Sequence, residues 1–99
     1  MLEDAVFYFT YVLLSMKDNE FYTGYTEDLE KRLSSHNKGE VVSTRYRIPL
    51  KLIYFEACLN KGDALKREKY LKSTYGKRYL RSRLKQYLAD LPLIHETEV

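Results

Sequence analysis

Residues 9–25 read FTYVLLSMKDNEFYTGY, and this stretch decides the fold. Both of its ends are rich in β-branched and aromatic residues, which favour strands. The polar middle contains Asp18-Asn19, a pair that tolerates the positive φ angles of a tight turn. The pattern therefore predicts a β-hairpin that turns at Asp18-Asn19, and the rest of the chain is interpreted around it.

The spacing within the hairpin predicts which side chains share a face of the sheet. A two-residue turn at 18–19 places Ser15 opposite Tyr22 and, two positions further along, Leu13 opposite Gly24. Tyr11 and Tyr22 then point to the same side because strand side chains alternate with a period of two. Glycine leaves space between the two tyrosines where an ordinary core would hold a branched aliphatic residue. We interpret this face as a candidate site.

The length and composition predict one domain spanning 1–99, with a core at about 7–89 and a flexible tail at 90–99. Hydrophobic residues make up 44% of the chain, yet no apolar run reaches the roughly 18 residues of a membrane span, so no membrane association is expected. The N-terminal residues are acidic where a signal peptide is basic, and Cys58 is the only cysteine. These features favour a cytoplasmic protein.

Positive charge is concentrated in one segment of the chain. Residues 61–85 contain ten Lys or Arg against two acidic residues, whereas the net charge of the whole chain is only +3. A segment this basic, with interleaved tyrosines, often contacts phosphates, although a solvated helical face has the same composition. The candidate nucleic-acid-binding residues in and beyond this segment are Tyr25, Arg45, Arg47, Lys72, Lys77, Arg78 and Arg81.

A first helix is predicted directly after the hairpin. Thr26 has the character of an N-cap followed by two acidic residues, and Gly39 is a typical C-terminal stop. Leucines at 29 and 33 define the buried stripe. Arg32 and His36 also lie four residues apart, beside that stripe, and are expected to point in the same direction.

The remainder of the chain is predicted as a loop, a strand and two helices. The loop at 37–49 is long for a compact domain and contains Ser43, Thr44, Arg45, Tyr46 and Arg47, which can all donate hydrogen bonds to phosphate. A third strand is expected at 50–57. Asn60 is expected to cap a helix at about 61–74, and Gly76 to break the chain before a final helix at about 77–89.

The predicted second helix carries an acidic residue on its inward face. Its buried stripe is expected to contain Ala64, Leu65, Glu68 and Leu71. A carboxylate near the core boundary costs several kcal/mol unless a cation or metal pairs with it. Glu68 therefore implies a partner, which could be a metal ion or, alternatively, Arg32 or a neighbouring lysine. His95 falls in the predicted tail and is expected to be inert.

Five of these positions, in this order, resemble the GIY-YIG nuclease superfamily. They are Tyr11, Tyr22 in Tyr-Thr-Gly, Arg32, His36 and Glu68, and the similarity spans residues 7 to 85. The most specific segment is YTGYTEDLEKRLSS at 22–35. The chain is most similar to small single-domain members related to the N-terminal nuclease domain of the excision-repair endonuclease.

The resemblance implies a fold, a reaction and a set of roles. The fold would be α+β, in the order β-β-α-β-α-α, with a three-stranded antiparallel sheet flanked by helices. One Mg²⁺ or Mn²⁺ ion would be held by Glu68, and a phosphodiester bond would be hydrolysed. Tyr11 and Tyr22 would be the motif tyrosines, with Tyr11 activating or orienting water; Arg32 would bind the scissile phosphate, and His36 would assist the proton transfer.

The chain also departs from the family pattern. Residues 9–11 read Phe-Thr-Tyr and lack the Gly-Ile of the first motif, and Tyr25 stands where the repair nuclease has lysine. The expected function is structure-directed hydrolysis of DNA in repair or recombination, with specificity supplied, if at all, by a protein partner. The alternative is a module of the same fold that binds nucleic acid without cleaving it. A protein-interaction adaptor would need a large apolar surface patch, for which the sequence offers no clear candidate.

Overall fold

The computed structural model describes residues 4–92 and contains three strands and four helices. In chain order these are β1 Tyr8–Ser15, β2 Phe21–Thr26, α1 Leu29–Asn37, β3 Leu50–Cys58, α2 Lys61–Lys72, α3 Thr74–Arg83 and α4 Lys85–Asp90. The strands form one antiparallel sheet in the order β2-β1-β3. The predicted α+β class and element order are confirmed, except that the last predicted helix is two helices.

The predicted ends of the chain are only partly covered by the structure. Residues 93–99, including His95, lie outside the described residues, as do residues 1–3. Within the predicted tail, Asp90 still belongs to α4. That residues 1–99 form a single domain stays a prediction. Along the described part of the chain, no helix is both long and apolar enough to span a membrane.

The hairpin forms, but its predicted register is wrong. Tyr11 pairs with Gly24, and Leu13 pairs with Tyr22. The backbone N–H of Ser15 donates to Glu20 at 3.0 Å, so the loop has four residues, 16–19, rather than two. Every pair is therefore displaced by two positions. Because two is the period of the strand, the displacement leaves Tyr11 and Tyr22 on the same face, as predicted.

The Ser15 side chain explains why the loop is longer than predicted. Its Oγ accepts hydrogen bonds from the backbone N–H groups of Lys17 and Asp18, each at 3.2 Å. Asn19 supplies the positive φ of 61° that closes the turn, and the Asp18 carboxylate accepts from Glu20 N–H at 2.9 Å. These local bonds satisfy the polar backbone of a four-residue loop.

The boundaries of α1 follow local capping chemistry. The N-cap is Asp28 rather than the predicted Thr26: the Asp28 carboxylate accepts from Lys31 N–H, while the Thr26 hydroxyl accepts from Asp28 N–H. The predicted stop at Gly39 is confirmed, with φ at +76° and its N–H bonded to the His36 carbonyl. Glycine adopts this left-handed conformation without steric cost.

The prediction that Gly76 separates the last two helices is wrong. The separation lies at Ser73, whose hydroxyl accepts from Gly76 N–H at 3.1 Å and caps α3. Gly76 is buried within α3, and a Cβ at this position would collide with the carbonyl oxygen of Tyr70 and the Cα of Leu71. The glycine therefore permits close approach of two helix backbones rather than a chain break.

Two apolar clusters lie on opposite faces of the sheet. One is formed by Val12, Leu14, Phe21, Leu71 and Leu80 and joins the sheet to α2 and α3. The other is formed by Tyr11, Leu13 and Leu50, against which Leu29 and Leu33 of α1 pack as predicted. Leu65, predicted to face inward, is 41% exposed, whereas Ala64 and Leu71 are buried. The α1 face is the one that holds the two tyrosines.

We expect Gly76→Ala to destabilise the fold, because the added methyl group must displace the backbone at Tyr70 and Leu71. Overpacking of this kind costs about 1–3 kcal/mol in the free energy of unfolding, which urea denaturation measures. Gly62→Ala in α2 is the matched control. There the Cβ meets only the Asn60 cap oxygen at 3.1 Å, and the gain in helix propensity opposes this crowding. Equal effects of both substitutions would contradict the packing role of Gly76.

Candidate active site

The phenol of Tyr11 lies across β2, in the space left by a glycine. Tyr11 is 1% exposed, and its partner across the strands is Gly24. A Cβ on Gly24 would stand only 2.5 Å from Tyr11 Cζ, closer than side-chain carbons approach. Any residue other than glycine at this position would therefore push the phenol out of its place. The predicted space between the two tyrosines is filled by Tyr11 itself.

Two residues of α1 hold the Tyr11 hydroxyl. His36 Nε2 lies 2.8 Å from Tyr11 Oη, and Arg32 Nε donates to the same oxygen at 3.3 Å. An arginine only donates hydrogen bonds, so the hydroxyl accepts from Arg32, and we assign its own proton to the bond with His36 Nε2. The predicted convergence of Tyr11, Arg32 and His36 is thus present in the structure.

The other ring nitrogen of His36 is fixed by a buried threonine. His36 Nδ1 lies 2.7 Å from Thr44 Oγ1, and both residues are fully buried. With Nε2 assigned as the acceptor of the Tyr11 proton, Nδ1 of the neutral ring carries the ring proton and donates to the threonine. The sequence alone places Thr44 among the loop residues able to contact phosphate. Its hydroxyl instead orients His36, a role that no periodicity or motif signals.

Burial sets the protonation states of the pair. It lowers the pKa of His36 to about 4, with a further contribution from the positive charge of Arg32. Burial also raises the pKa of Tyr11; the charges of Tyr22 and Glu68 add to this, while Arg32 opposes it. At neutral pH the phenol is therefore protonated and the imidazole is neutral. This is the pairing in which the imidazole can accept the phenol's proton.

Tyr22 completes the aromatic wall of the site. Its ring packs edge-on against His36, with centroids 5.1 Å apart, and is tilted against Tyr11 at 6.5 Å. Its hydroxyl accepts a hydrogen bond from Ser43 at 3.4 Å. The hydroxyls of Tyr11 and Tyr22 are thus bound by α1 and by the following loop, respectively.

Glu68 lies near this group but carries its own ion pair. Its side chain is 20% exposed and accepts from Lys72 Nζ at 3.2 Å, which is one of the alternatives expected from the sequence. Lys72 is itself half exposed, and such surface pairs contribute little to stability. The Glu68 carboxylate is close enough to Tyr11 for its charge to contribute to the raised pKa of the phenol.

The donor set fits a metal ion that needs few protein ligands. Within residues 4–92, no group of three or more His, Cys, Asp or Glu could hold a metal ion together. A zinc-type or calcium-type cage is therefore not built from these residues. A single half-buried carboxylate fits Mg²⁺, which retains most of its waters when bound. That Glu68 holds such an ion stays a prediction from the sequence.

Several predicted nucleic-acid-binding residues are engaged within the protein. Arg47 binds the Asp18 carboxylate at 2.8 Å and the carbonyls of Glu20 and Phe21, which fixes the loop against the hairpin. Tyr25 donates to Glu27 at 2.8 Å; desolvation and this bond raise the pKa of Tyr25 to about 12. Lys72 is paired with Glu68.

The remaining predicted residues are exposed on the surface. Arg78 lies 5.8 Å from the ring centroid of Tyr75, and Arg45 lies 5.0 Å from that of Tyr46. Arg81 stacks over Phe21 at 4.8 Å, beside a cavity of about 250 Å³. Lys77 is exposed on α3. None of these four residues is among the groups that contact Tyr11 or His36 in the described structure.

Comparison with known proteins identifies the family. A family model described as the GIY-YIG catalytic domain matches residues 7–81. The chain belongs to the GIY-YIG family. The predicted membership is thereby confirmed, and it supports assignment to nuclease-type hydrolases, which generally depend on a divalent metal.

Relatives of this GIY-YIG protein are named UPF0213 proteins. One from Clostridium perfringens is 49% identical over 61 residues, covering 61% of this chain and 66% of the relative. One from Streptococcus pyogenes is 43% identical over 78 residues, covering 78% and 80%. The solution NMR structure of a UPF0213 protein from Bacillus halodurans, 34% identical, superimposes with a TM-score of 0.50 over 77% of this chain and 83% of that one.

We expect Thr44→Val to disturb His36 specifically. Valine has the shape of threonine but cannot accept the imidazole N–H, so a buried donor loses its partner at a cost of about 1–3 kcal/mol. Urea denaturation measures this loss, and ¹⁵N NMR of the imidazole reports the tautomer. Thr44→Ser, which keeps the hydroxyl, is the control and should retain the wild-type tautomer. Identical NMR spectra for Thr44→Val and wild type would contradict the orienting role.

The lowered pKa of His36 makes stability depend on pH. Between about pH 6.5 and pH 4 the unfolded chain binds a proton at His36 that the folded chain excludes, so stability falls as pH falls. His36 should contribute up to about 1.4 kcal/mol per pH unit to the change in the free energy of unfolding within that window. Denaturation at several pH values should show this slope in the wild type and a shallower one in His36→Gln. Parallel slopes would show that His36 is not held neutral.

Proposed function

We propose that this protein is a metal-dependent endonuclease that hydrolyses phosphodiester bonds in DNA. One observation carries the proposal: the buried hydroxyl of Tyr11 is held between Arg32 Nε and the neutral imidazole of His36. Phosphodiester hydrolysis needs an oriented water, a proton acceptor and positive charge at the phosphate. The three side chains supply groups of these types at one point, within a chain that matches a catalytic-domain family.

The hydrogen-bond directions suggest how a proton would move. As a water molecule attacks phosphorus, its proton would pass to the Tyr11 oxygen while the Tyr11 proton passes to His36 Nε2. A phenol alone is a poor base because its pKa is near 10 and burial raises the pKa of Tyr11 further. The imidazole would share the task once the negative charge of the entering phosphate raises the pKa of His36, which burial and Arg32 lower to about 4 in the free protein.

Arg32 is suited to bind the phosphate. Arg32 uses Nε to hold Tyr11, so its terminal guanidinium nitrogens take no part in that bond. The guanidinium is permanently charged, and its planar N–H donors match the geometry of phosphate oxygens. The Tyr11 hydrogen bond raises the pKa of Arg32 further. A Mg²⁺ or Mn²⁺ ion at Glu68 would supply charge neutralisation at the phosphate and help for the leaving oxygen.

We infer that the substrate is recognised by its structure rather than its sequence. The exposed basic residues of α3, including Lys77 and Arg78, are suited to backbone phosphates, which carry no sequence information. A role in repair or recombination follows as the proposed setting, with a protein partner as the source of any specificity. Cytoplasmic localisation is proposed together with it.

Purified protein should nick DNA in Mg²⁺ or Mn²⁺, and Glu68→Gln and Arg32→Gln should each lower the rate by at least about 10²-fold, the typical effect of removing one preorganised group. Rates are measured on plasmid and on branched oligonucleotides, with and without metal. Lys31→Gln and Glu30→Gln are matched controls, since both are exposed on the same helix as Arg32. Cleavage that survives both site substitutions would overturn the proposal.

A second candidate function is nucleic-acid binding without turnover. The observation that favours it is the Glu68–Lys72 pair, which supplies the carboxylate with a cation from the protein itself. This function would give salt-sensitive DNA binding, weakened by neutralising Lys77, Arg78 and Arg81, with no metal-dependent cleavage. Lack of DNA binding at low salt would exclude both functions.

A further inference from the structure

A polar cluster outside the candidate active site joins β3 to α2 and α3. Its members are Tyr54 and Glu56 on β3, Arg67 and Tyr70 on α2, and Tyr79 on α3, and we call it the Arg67 cluster. The Arg67 guanidinium binds the Glu56 carboxylate through both Nε and Nη2, with distances of 2.9, 3.1 and 2.9 Å. Tyr54 donates to the same carboxylate at 2.8 Å.

The Arg67 side chain is held in place by aromatic rings as well. Its guanidinium lies 5.3 Å from the ring centroid of Tyr70 and 5.0 Å from that of Tyr79. Partial burial alone would raise the pKa of Glu56, but the bonds from Arg67 and Tyr54 outweigh it and lower that pKa. The carboxylate is therefore charged at neutral pH and accepts from two nitrogens of Arg67.

The position of Arg67 links this cluster to Glu68. Consecutive residues of a helix point about 100° apart, so the two side chains leave α2 in different directions. Arg67 reaches Glu56 on β3, whereas Glu68 leaves another side of the helix and remains only 20% exposed. One turn earlier, the Ala64 carbonyl accepts from the buried Thr10 hydroxyl at 2.9 Å. The Thr10 bond ties the start of α2 to β1, and the Arg67–Glu56 pair ties the middle of α2 to β3, beside the buried contacts of Ala64 and Leu71.

Glu68 depends on the helix for its direction. Its described ion pair is with Lys72, a residue of the same helix whose side chain is 54% exposed. An (i, i+4) pair of this kind moves with the helix and cannot fix its rotation. The Glu56–Arg67 pair connects different elements, and its bidentate geometry gives orientation as well as energy.

We propose that Glu56 is a positioning residue for the metal-binding carboxylate: through Arg67 it ties α2 to β3 and so helps to set the direction in which Glu68 leaves the helix. This rests on the proposed function, because it takes Glu68 as the ligand of Mg²⁺ or Mn²⁺. Glu56 would act as an outer-shell partner: it orients the metal-binding carboxylate of Glu68 without contacting the metal itself. Loss of such partners typically weakens metal affinity 10- to 100-fold.

The test is Mn²⁺ binding to the whole protein without DNA, followed by electron paramagnetic resonance of free Mn²⁺, together with the Mn²⁺ dependence of cleavage. Glu56→Gln should bind Mn²⁺ about tenfold more weakly and need more Mn²⁺ for half-maximal cleavage. Its rate should recover at saturating Mn²⁺. In the Glu68→Gln background, Glu56→Gln should add no further loss of Mn²⁺ binding, because no carboxylate remains to be positioned.

Asp18→Asn is the matched control, since it breaks a second Arg–carboxylate pair, with Arg47, that does not involve α2. It should lower stability without shifting the Mn²⁺ midpoint. An unchanged midpoint in Glu56→Gln, with binding lost in Glu68→Gln, would overturn this inference and leave the proposed function standing. Wild-type protein that binds no Mn²⁺ would overturn the metal assignment itself.

Should Glu56→Gln fail to fold, Tyr54→Phe provides the same test in a milder form. It removes one hydrogen bond to the Glu56 carboxylate and keeps the Arg67 pair. A smaller shift of the Mn²⁺ midpoint in the same direction supports the inference. A wild-type midpoint in a folded Tyr54→Phe protein, with Arg67→Lys likewise unshifted, would overturn it.

Discussion

The absence of a side chain at Gly24 is the constraint on which the candidate site depends. It lets the Tyr11 ring cross β2, and the hydroxyl then reaches two residues of α1. A buried phenol hydroxyl is costly unless it is hydrogen-bonded, so Arg32 and His36 satisfy a requirement of the fold as well as supplying groups for the proposed chemistry. Stability and the proposed function therefore share the same three side chains.

This hydrogen-bonded group extends into a loop that has no regular secondary structure. The second ring nitrogen of the buried His36 also needs a hydrogen-bond partner. That partner is Thr44, which lies in the segment between α1 and β3. That segment is also held at its ends. The Asn37 side chain pairs with both backbone groups of Leu50, at 2.9 and 2.8 Å, and Arg47 binds the hairpin loop. No backbone ladder is available to this long loop, so side-chain bonds hold it together with backbone turns, such as Arg47 N–H to the Thr44 carbonyl at 2.8 Å.

The sequence predicts those features of the site that depend only on the repeat of side-chain directions along a strand or a helix. The shared face of Tyr11 and Tyr22 needs only the parity of the strand, and the shared direction of Arg32 and His36 needs only the helical turn; both are observed. Features that depend on individual side-chain hydrogen bonds or on tertiary contacts are not predicted. The hairpin register depends on the Ser15 hydroxyl, and Thr44 meets His36 across eight residues of irregular chain. Helix propensity predicts a chain break at Gly76. The structure instead has Gly76 inside α3, where the lack of a side chain permits its close contact with Leu71.

The proposed site draws on elements from both faces of the sheet. Arg32 and His36 come from α1 on one face, whereas Glu68 comes from α2, which packs with Leu71 on the other. Glu68 therefore depends on packing that the α1 face does not control. That packing includes the close approach of Gly76 to Leu71 and the pair between Glu56 and Arg67. Substitutions far from Tyr11 can thus act on the proposed metal ligand, because Glu68 is held by contacts of α2 whereas Arg32 and His36 are held by contacts of α1.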